Sequence, residues 1–171
     1  MESYLKWVEK IDRLSDWGGK ILSYLVYPLV GGVAYEVIAR YFFNAPTEWA
    51  YDVTYMLYGA IFMLGAAYTL LKKGHIRTDL LYGKWSPQKQ GKIDAILYLA
   101  LFFPAMILYL IAGIDYAAHS WITNERAANS PWMPIIYPFK AVIPLTAAML
   151  IIQGVSEFIK SVYAWKKGEW K

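Results

Sequence analysis

Residues 95–114 read AILYLALFFPAMILYLIAGI, a run of twenty residues that contains no charged side chain. A helix needs about 20 predominantly apolar residues to cross the roughly 30 Å of hydrocarbon in a bilayer. The run therefore predicts a membrane-spanning helix, which we place at about residues 93–119. Pro104 lies inside it, and membrane helices tolerate such a kink because neighbouring groups satisfy the freed backbone.

Three further stretches have the same character, and each contains a long charge-free core. The expected spans lie at about residues 19–43, 49–71 and 139–163. Four spans occupy more than half of the chain, so no room is left for a separate soluble domain. The sequence therefore predicts an all-α integral membrane protein, with residues 1–171 forming a single membrane domain.

The composition of the whole chain agrees with this fold class. Hydrophobic residues make up 58% of the 171 residues and charged residues only 18%. Ordinary soluble domains contain about 45–50% apolar and about 25% charged residues. Eight Trp and fifteen Tyr are typical of membrane–water interfaces. The absence of cysteine excludes a disulfide framework and a thiolate metal site.

The positive charges are distributed unevenly between the two sides of the predicted membrane. Of the 17 Lys and Arg residues, all but Arg40, Arg126 and Lys140 lie near the termini or between the second and third spans. Cytoplasmic loops carry the excess of such residues, so both termini are expected in the cytoplasm. The charge is thus topological and faces membrane lipid, which argues against a nucleic-acid partner.

The first 18 residues have the pattern of an amphipathic helix. Trp7, Val8, Ile11 and Leu14 recur at helical spacing, with charged residues between them. This pattern predicts a helix at residues 1–18 that lies in the membrane interface before the first span. A cleaved signal peptide is the alternative, but acidic residues interrupt the positive charge of this segment, so we expect it to remain uncleaved.

Several polar side chains lie within or beside the spans. Glu36 and Arg40 are four residues apart on one helix face, where they can form a structural ion pair; a proton or substrate site is the alternative. Asp52 opens the second span, where an acid suits the positive end of the helix dipole. Gln153 lies deep in the fourth span, and we expect it to hydrogen-bond to another helix.

The sequence shows no residues arranged for catalysis. His75 and His119 fall at opposite membrane faces, about 30 Å apart, so one haem cannot use both. Metal-ligand clusters, nucleophilic triads and glycine-rich phosphate loops are absent from the sequence. We therefore expect no enzyme activity, cofactor or metal. Glycines in the first two spans, among them Gly31, Gly59 and Gly65, instead permit close packing within the chain or against a partner.

One ordered set of residues carries a family resemblance. It comprises Arg40-Tyr-Phe-Phe-Asn-Ala-Pro46, then Trp49 and Asp52, then Leu64-Gly-Ala-Ala67, and finally Gly74-His-Ile-Arg-Thr-Asp79. This pattern resembles the small membrane subunit of tripartite ATP-independent periplasmic (TRAP) transporters, the DctQ-type family. The resemblance covers nearly the whole chain.

The resemblance implies a function that composition cannot show. It implies a non-catalytic inner-membrane subunit of a secondary, ion-gradient-driven transporter of organic acids. Such a subunit scaffolds a large multi-span membrane subunit, and a periplasmic substrate-binding protein delivers the solute. Arg40, Asn44 and Trp49 would fix the outer turn between the first two spans, and His75, Arg77 and Asp79 would order the cytoplasmic loop after the second. With Glu36 and Asp52, these residues are the structural and subunit-interface candidates.

Two other functions remain open at this point. A small autonomous transporter could use Glu36 as a proton-coupled site, although Arg40 one turn away should hold its carboxylate ionised. A membrane anchor of a redox enzyme is the other alternative, and the separation of the two histidines opposes it.

Overall fold

The computed structural model describes residues 2–74 and 82–170, with side chains from Lys6 onward. Within these residues every named element is a helix, which confirms the predicted all-α fold. Four helical stretches are long and apolar enough to cross a membrane, as the sequence predicts. They are Lys6–Phe42, Ala50–Leu71, Pro87–Ile122 and Tyr137–Lys167.

These stretches are built from seven α-helices and one π-helical turn of the described chain. The α-helices are α1 (Glu2–Ser23), α2 (Val26–Phe42), α3 (Ala50–Leu71), α4 (Pro87–Leu97), α5 (Phe103–Ile122), α6 (Tyr137–Lys140) and α7 (Val142–Lys167). The π-helical turn, Tyr98–Phe102, joins α4 to α5.

The amphipathic first helix is longer than the sequence indicates. The pattern predicts an end at residue 18, but α1 runs through to Ser23 and the chain turns at Tyr24 and Leu25. Pro28 explains this position, because proline has no N–H to donate to the carbonyl of Tyr24. Gly19 does not break the helix. A Cβ there would lie 2.4 Å from the Tyr68 ring, so this glycine allows α1 to pack closely on α3.

A second proline shapes the third span. The N–H of Phe103 bonds to the carbonyl of Tyr98, five residues back, which is the spacing of a π-helix. The next residue, Pro104, cannot donate a backbone hydrogen bond. The wider turn thus accommodates the proline while α4 and α5 continue as one span, as the sequence analysis expects for a kinked membrane helix.

Helix α7 is the centre of the bundle, since α1, α3, α4 and α5 all pack against it. Small residues make these contacts close. Ala147 and Ala164 are fully buried on α7, and a Cβ on Gly91 of α4 would lie 2.5 Å from the carbonyl oxygen of Ser161. In contrast, α2 packs against α3 and leaves most of its surface open.

The bundle has two ends with different contents. The hairpin end holds residues 43–49, between α2 and α3, and residues 123–136, between α5 and α6. The terminal end holds α1, the first turns of α4 and the last turns of α7. Each end contains a cluster of polar residues, and an aromatic face lies between them.

Candidate functional site: an aromatic face between two polar clusters

At the hairpin end, Glu36 ties α2 to the loop that follows it. Its Oε1 accepts hydrogen bonds from Arg40 Nε at 2.8 Å and Nη2 at 2.5 Å. Its Oε2 accepts from the backbone N of Thr47 at 3.0 Å and from the Thr47 hydroxyl. Both carboxylate oxygens are therefore engaged. This geometry favours the structural ion pair over a proton or substrate site.

The same turn contains two more of the predicted residues. Asn44 has a φ of +53°, in the left-handed region that asparagine tolerates better than most residues. The chain then reverses, and the N–H of Ala45 bonds to the carbonyl of Ala39 at 3.0 Å. The Trp49 ring stacks on Tyr35 with centroids 5.7 Å apart. The structure thus brings Glu36, Arg40, Asn44 and Trp49 to one turn.

Asp52 has a tertiary partner that the sequence analysis missed. It lies in the first turn of α3, where its charge suits the helix dipole, but it is buried and accepts a hydrogen bond from the Ser130 hydroxyl. Ser130 Oγ also accepts from the backbone N of Trp132 at 3.2 Å. The contact joins residues 78 positions apart, so spacing along one helix could not reveal it.

The loop at residues 123–136 is held by further polar contacts. Arg126 pairs with Ile135 across the loop, and its guanidinium donates to the carbonyl of Met133 at 3.1 Å. Lys140 Nζ lies 2.5 Å from Glu125 Oε2. This ammonium group lowers the pKa of the Glu125 carboxyl below its ordinary value. Each cation of this end, Arg40 included, therefore has an acceptor within its own cluster.

At the terminal end, a partly buried ion cluster fastens α1 to α7. Lys160 Nζ lies 2.7 Å from Asp12 Oδ2 and 2.6 Å from Glu157 Oε1. Glu157 is only 3% exposed. Because burying an unpaired charge is costly, this lysine is required between the two carboxylates.

Gln153 completes the terminal cluster with both of its amide atoms. Its Oε1 accepts from the Ser15 hydroxyl at 2.7 Å, and its Nε2 donates to Asp12 Oδ1 at 3.0 Å. Ser156 also donates to Asp12, at 2.6 Å. The expected helix–helix hydrogen bond of Gln153 is confirmed. The sequence does contain a pattern that indicates this cluster. Gln153, Glu157 and Lys160 are spaced so that they share one face of an otherwise apolar helix.

Three of the predicted residues, His75, Arg77 and Asp79, lie outside the described part of the chain. The predicted loop-ordering role of these residues therefore stays a prediction. In the described residues, no three metal-ligating side chains come together.

Between the clusters, α2 and α3 present an aromatic face to the outside. It contains a groove of about 580 Å³ whose lining includes Val30, Val33, Ala34, Tyr55 and Tyr58. Tyr55 and Tyr58 are 59% and 61% exposed, and their hydroxyls have no hydrogen-bond partner within the described residues. Because α3 runs from Ala50 to Leu71, Tyr58 lies near the middle of its span.

The glycines of α2 and α3 differ in use: Gly59 is packed inside the chain, whereas Gly31 and Gly65 face open space. A Cβ on Gly59 would lie 2.7 Å from the Phe139 ring, so this glycine serves internal packing. A Cβ on Gly31, on α2, would meet no atom within 4 Å. Glycine in an exposed helix costs about 0.5–1 kcal/mol relative to alanine. No contact within the chain therefore explains why residue 31 is a glycine.

The family described as "Tripartite ATP-independent periplasmic transporters, DctQ component" matches residues 29–163. That range covers the turn at Asn44, the aromatic face and the whole of the central packing helix except its last residues. The chain belongs to the DctQ family.

A curated relative supports the same family assignment. The chain is 28% identical over 125 residues to the C4-dicarboxylate TRAP transporter small permease protein DctQ of Vibrio cholerae serotype O1 (strain ATCC 39315 / El Tor Inaba N16961). The match covers 71% of the chain and 51% of the relative, so the chain spans about half the length of that protein. The chain is thus a DctQ-type transporter component, and its four long apolar helices make it a multi-pass membrane protein.

Proposed function

We propose that the chain is a scaffold: it holds the large multi-span subunit of a TRAP transporter and has no transport path of its own. The observation that carries this proposal is the aromatic face of α2 and α3. Hydrocarbon offers no hydrogen-bond acceptor, so an exposed tyrosine hydroxyl at mid-span depth is costly in lipid. A protein partner can supply acceptors to Tyr55 and Tyr58.

The exposed surface of α5 supports this assignment by contrast. The exposed residues of α5 include Ile107, Leu108, Ile111 and Ile114, whose side chains contain no polar atom. Such a surface suits acyl chains. Gly31 adds a second argument for a partner at α2, because a glycine there lets another helix approach closely.

The polar clusters give the scaffold its rigidity. Lys160 fastens α1 to α7, and Asp52 fastens α3 to the loop at residues 123–136. With these contacts the four spans can present α2 and α3 in a fixed geometry. Glu36, Arg40, Asn44 and Trp49 hold the turn at the edge of this face, and we propose that they act there as interface residues.

The remaining parts of the proposed function follow the family. The transporter is a secondary, ion-gradient-driven carrier of organic acids, and a periplasmic substrate-binding protein works with the complex. The named relative is a C4-dicarboxylate transporter component, which supports this substrate class. The excess of Lys and Arg at the terminal end supports cytoplasmic termini in the inner membrane.

The experiment is affinity purification of the tagged chain with the large subunit, in mild detergent, using two matched variants. Ala34→Trp fills the groove, whereas Ala112→Trp adds the same volume on the exposed side of α5. We expect Ala34→Trp to lower recovery of the large subunit about tenfold or more, a loss of roughly 1.4 kcal/mol. Ala112→Trp should leave recovery unchanged.

Uptake in proteoliposomes provides the second readout. The chain alone should give no uptake, and the assembled transporter should transport an organic acid only with the large subunit present. Solute uptake by the isolated chain would contradict the scaffold function, and normal recovery with Ala34→Trp would contradict the assigned face.

A further inference from the structure

The terminal end carries a cluster of lysines that lie over tryptophan rings. We call it the lysine–tryptophan cluster. Its three pairs are Lys73 over Trp170, Lys89 over Trp85, and Lys92 over Trp165, with Nζ to ring-centroid distances of 4.6, 4.5 and 5.8 Å. Neither the ion cluster of Lys160 nor the aromatic face includes any of these residues.

The C-terminal tail brings the pairs together. Gly168 has a φ of +77° and ends α7, so the residues after it turn back toward α4. Trp170 Nε1 then donates to Gln90 Oε1 at 3.0 Å. Gln90 Nε2 donates in turn to the carbonyls of Tyr82 and Trp85 at 2.9 and 3.1 Å. These hydrogen bonds connect the tail to the first turns of α4, where Lys89 and Lys92 lie.

The lysines of the cluster are not neutralised by the described part of the chain. Lys73, Lys89 and Lys92 are exposed, and within the described residues no carboxylate lies at ion-pair distance from them. Asp94 and Glu169, carboxylates on the same elements, accept hydrogen bonds from the hydroxyls of Tyr82 and Tyr163 instead. Among the described residues, the cluster therefore presents net positive charge.

The rings make these lysines different from ordinary surface lysines. A cation over an aromatic face is held by the ring quadrupole, so the side chain loses less freedom when it binds an anion. Tryptophan is also the residue that lies at headgroup level in membrane proteins. The cluster is placed at the ends of two spans, α4 and α7, where that level falls.

We propose that the lysine–tryptophan cluster is a binding site for the headgroup of an anionic phospholipid. The three ammonium groups would contact the phosphodiester and its attached headgroup, and the tryptophan rings would contact the glycerol and the first acyl carbons. A freely soluble anion would leave the apolar faces of the rings unused. The ligand chemistry is thus that of a leaflet lipid such as phosphatidylglycerol.

The test is lipid titration of the purified chain in detergent, with bound lipid counted by native mass spectrometry. Phosphatidylglycerol is compared with zwitterionic phosphatidylcholine of the same acyl chains. The first variant is the triple substitution Lys73→Gln, Lys89→Gln and Lys92→Gln. Its control is Lys84→Gln, Lys166→Gln and Lys167→Gln, which removes the same charge from exposed lysines that lie over no ring of the described chain.

We expect the wild-type chain to bind phosphatidylglycerol at least about tenfold more tightly than phosphatidylcholine. The cluster variant should lose most of this preference, since it removes all three ammonium groups that the rings hold in place for the headgroup. The control variant should change the preference by less than about threefold. Circular dichroism checks that both variants keep the wild-type helical content.

Three results would overturn the proposal. Equal losses in the two triple variants would show general charge attraction and no built site. Equal binding of the two lipids by the wild-type chain would remove the headgroup preference. Displacement of phosphatidylglycerol by millimolar inorganic phosphate would show that the cluster takes a soluble anion, whereas no displacement supports a lipid site.

Discussion

The two ends of the bundle differ in how their basic side chains are paired. At the hairpin end, Arg40, Arg126 and Lys140 each reach an acceptor of the same cluster, so the cations hold loops in place. At the terminal end, the largely covered Lys160 lies between two carboxylates, while the lysines of the lysine–tryptophan cluster are exposed over aromatic rings. Basic side chains therefore fasten the fold where they are paired and are available for surface contacts where they are not.

The largest loss of stability is expected from a substitution of Lys160. Lys160→Met removes the cation between Asp12 and Glu157 and leaves the buried Glu157 carboxylate facing the partly exposed Asp12 carboxylate. We expect a loss of about 3–5 kcal/mol in the free energy of unfolding, measured by denaturant titration in detergent. Lys167→Met, on an exposed lysine of the same helix, should change it by less than about 0.5 kcal/mol.

Should Lys160→Met fail to accumulate, the combination with Asp12→Asn and Glu157→Gln provides the check. Removing the opposing charges should restore a folded protein. A stable Lys160→Met single variant would show that the ion cluster is not a fastening element.

The next largest effect is expected at the hairpin end. Ser130→Ala removes the donor to the buried carboxylate of Asp52. A buried charged acceptor without its partner costs about 1–3 kcal/mol, so we expect a loss of that size in the free energy of unfolding. Asn129→Ala, at the exposed neighbouring position, is the control. Equal stability of the two variants would mean that the loop at residues 123–136 is held without this bond.

A smaller effect should follow from Glu36→Gln. The amide can still accept from Thr47, and only the ion pair with Arg40 is lost. Exposed ion pairs contribute little, so the loss of stability should be smaller than that of Ser130→Ala. Organic-acid uptake by the reconstituted transporter should persist. Abolished uptake in a fully assembled complex would instead support a proton-coupled role for Glu36.

The smallest expected effect is the pH dependence of the stability that the Glu125–Lys140 ion pair contributes. The folded-state pKa of Glu125 is lowered by Lys140, so the ion pair contributes stability above the ordinary carboxyl value of 4.5, and this contribution is lost as pH falls through the lowered folded value. The stability difference between the wild type and Glu125→Gln should therefore stay constant from pH 7 down to about 5 and shrink below 4.5. A difference that changes with pH near 7 would contradict this assignment.

The sequence predicts the four spans because each has the length and the charge-free core that a bilayer requires of a helix. It also predicts the Glu36–Arg40 pair and the helix–helix bond of Gln153, since both follow from spacing or depth. The partner of Asp52 could not be predicted, because Ser130 approaches it only after α3 and the later loop have packed. The turn at Tyr24 and Leu25 could not be located from the amphipathic pattern, because Pro28 determines it and Gly19 is a packing residue within α1.

The sequence also cannot tell which glycines pack inside the chain and which are open to a partner. Sequence alone indicates close approach at Gly31 and Gly59 without telling an internal neighbour from an external one. The structure separates them, because only Gly59 of the two faces a residue of this chain within 4 Å. Gly65 on α3 is open as well, so the open Gly31 supports the proposed partner at α2 only together with the neighbouring groove.

The most direct test of the scaffold account is photo-crosslinking in the membrane of cells that express both subunits. A photoreactive amino acid is placed at Val33 or Tyr58 on the aromatic face, and at Leu108 or Ile111 on the aliphatic side of α5. We predict an adduct with the mass of the chain plus the large subunit from the first two positions and none from the other two. Adducts from Leu108 or Ile111, with none from Val33 or Tyr58, would contradict the account.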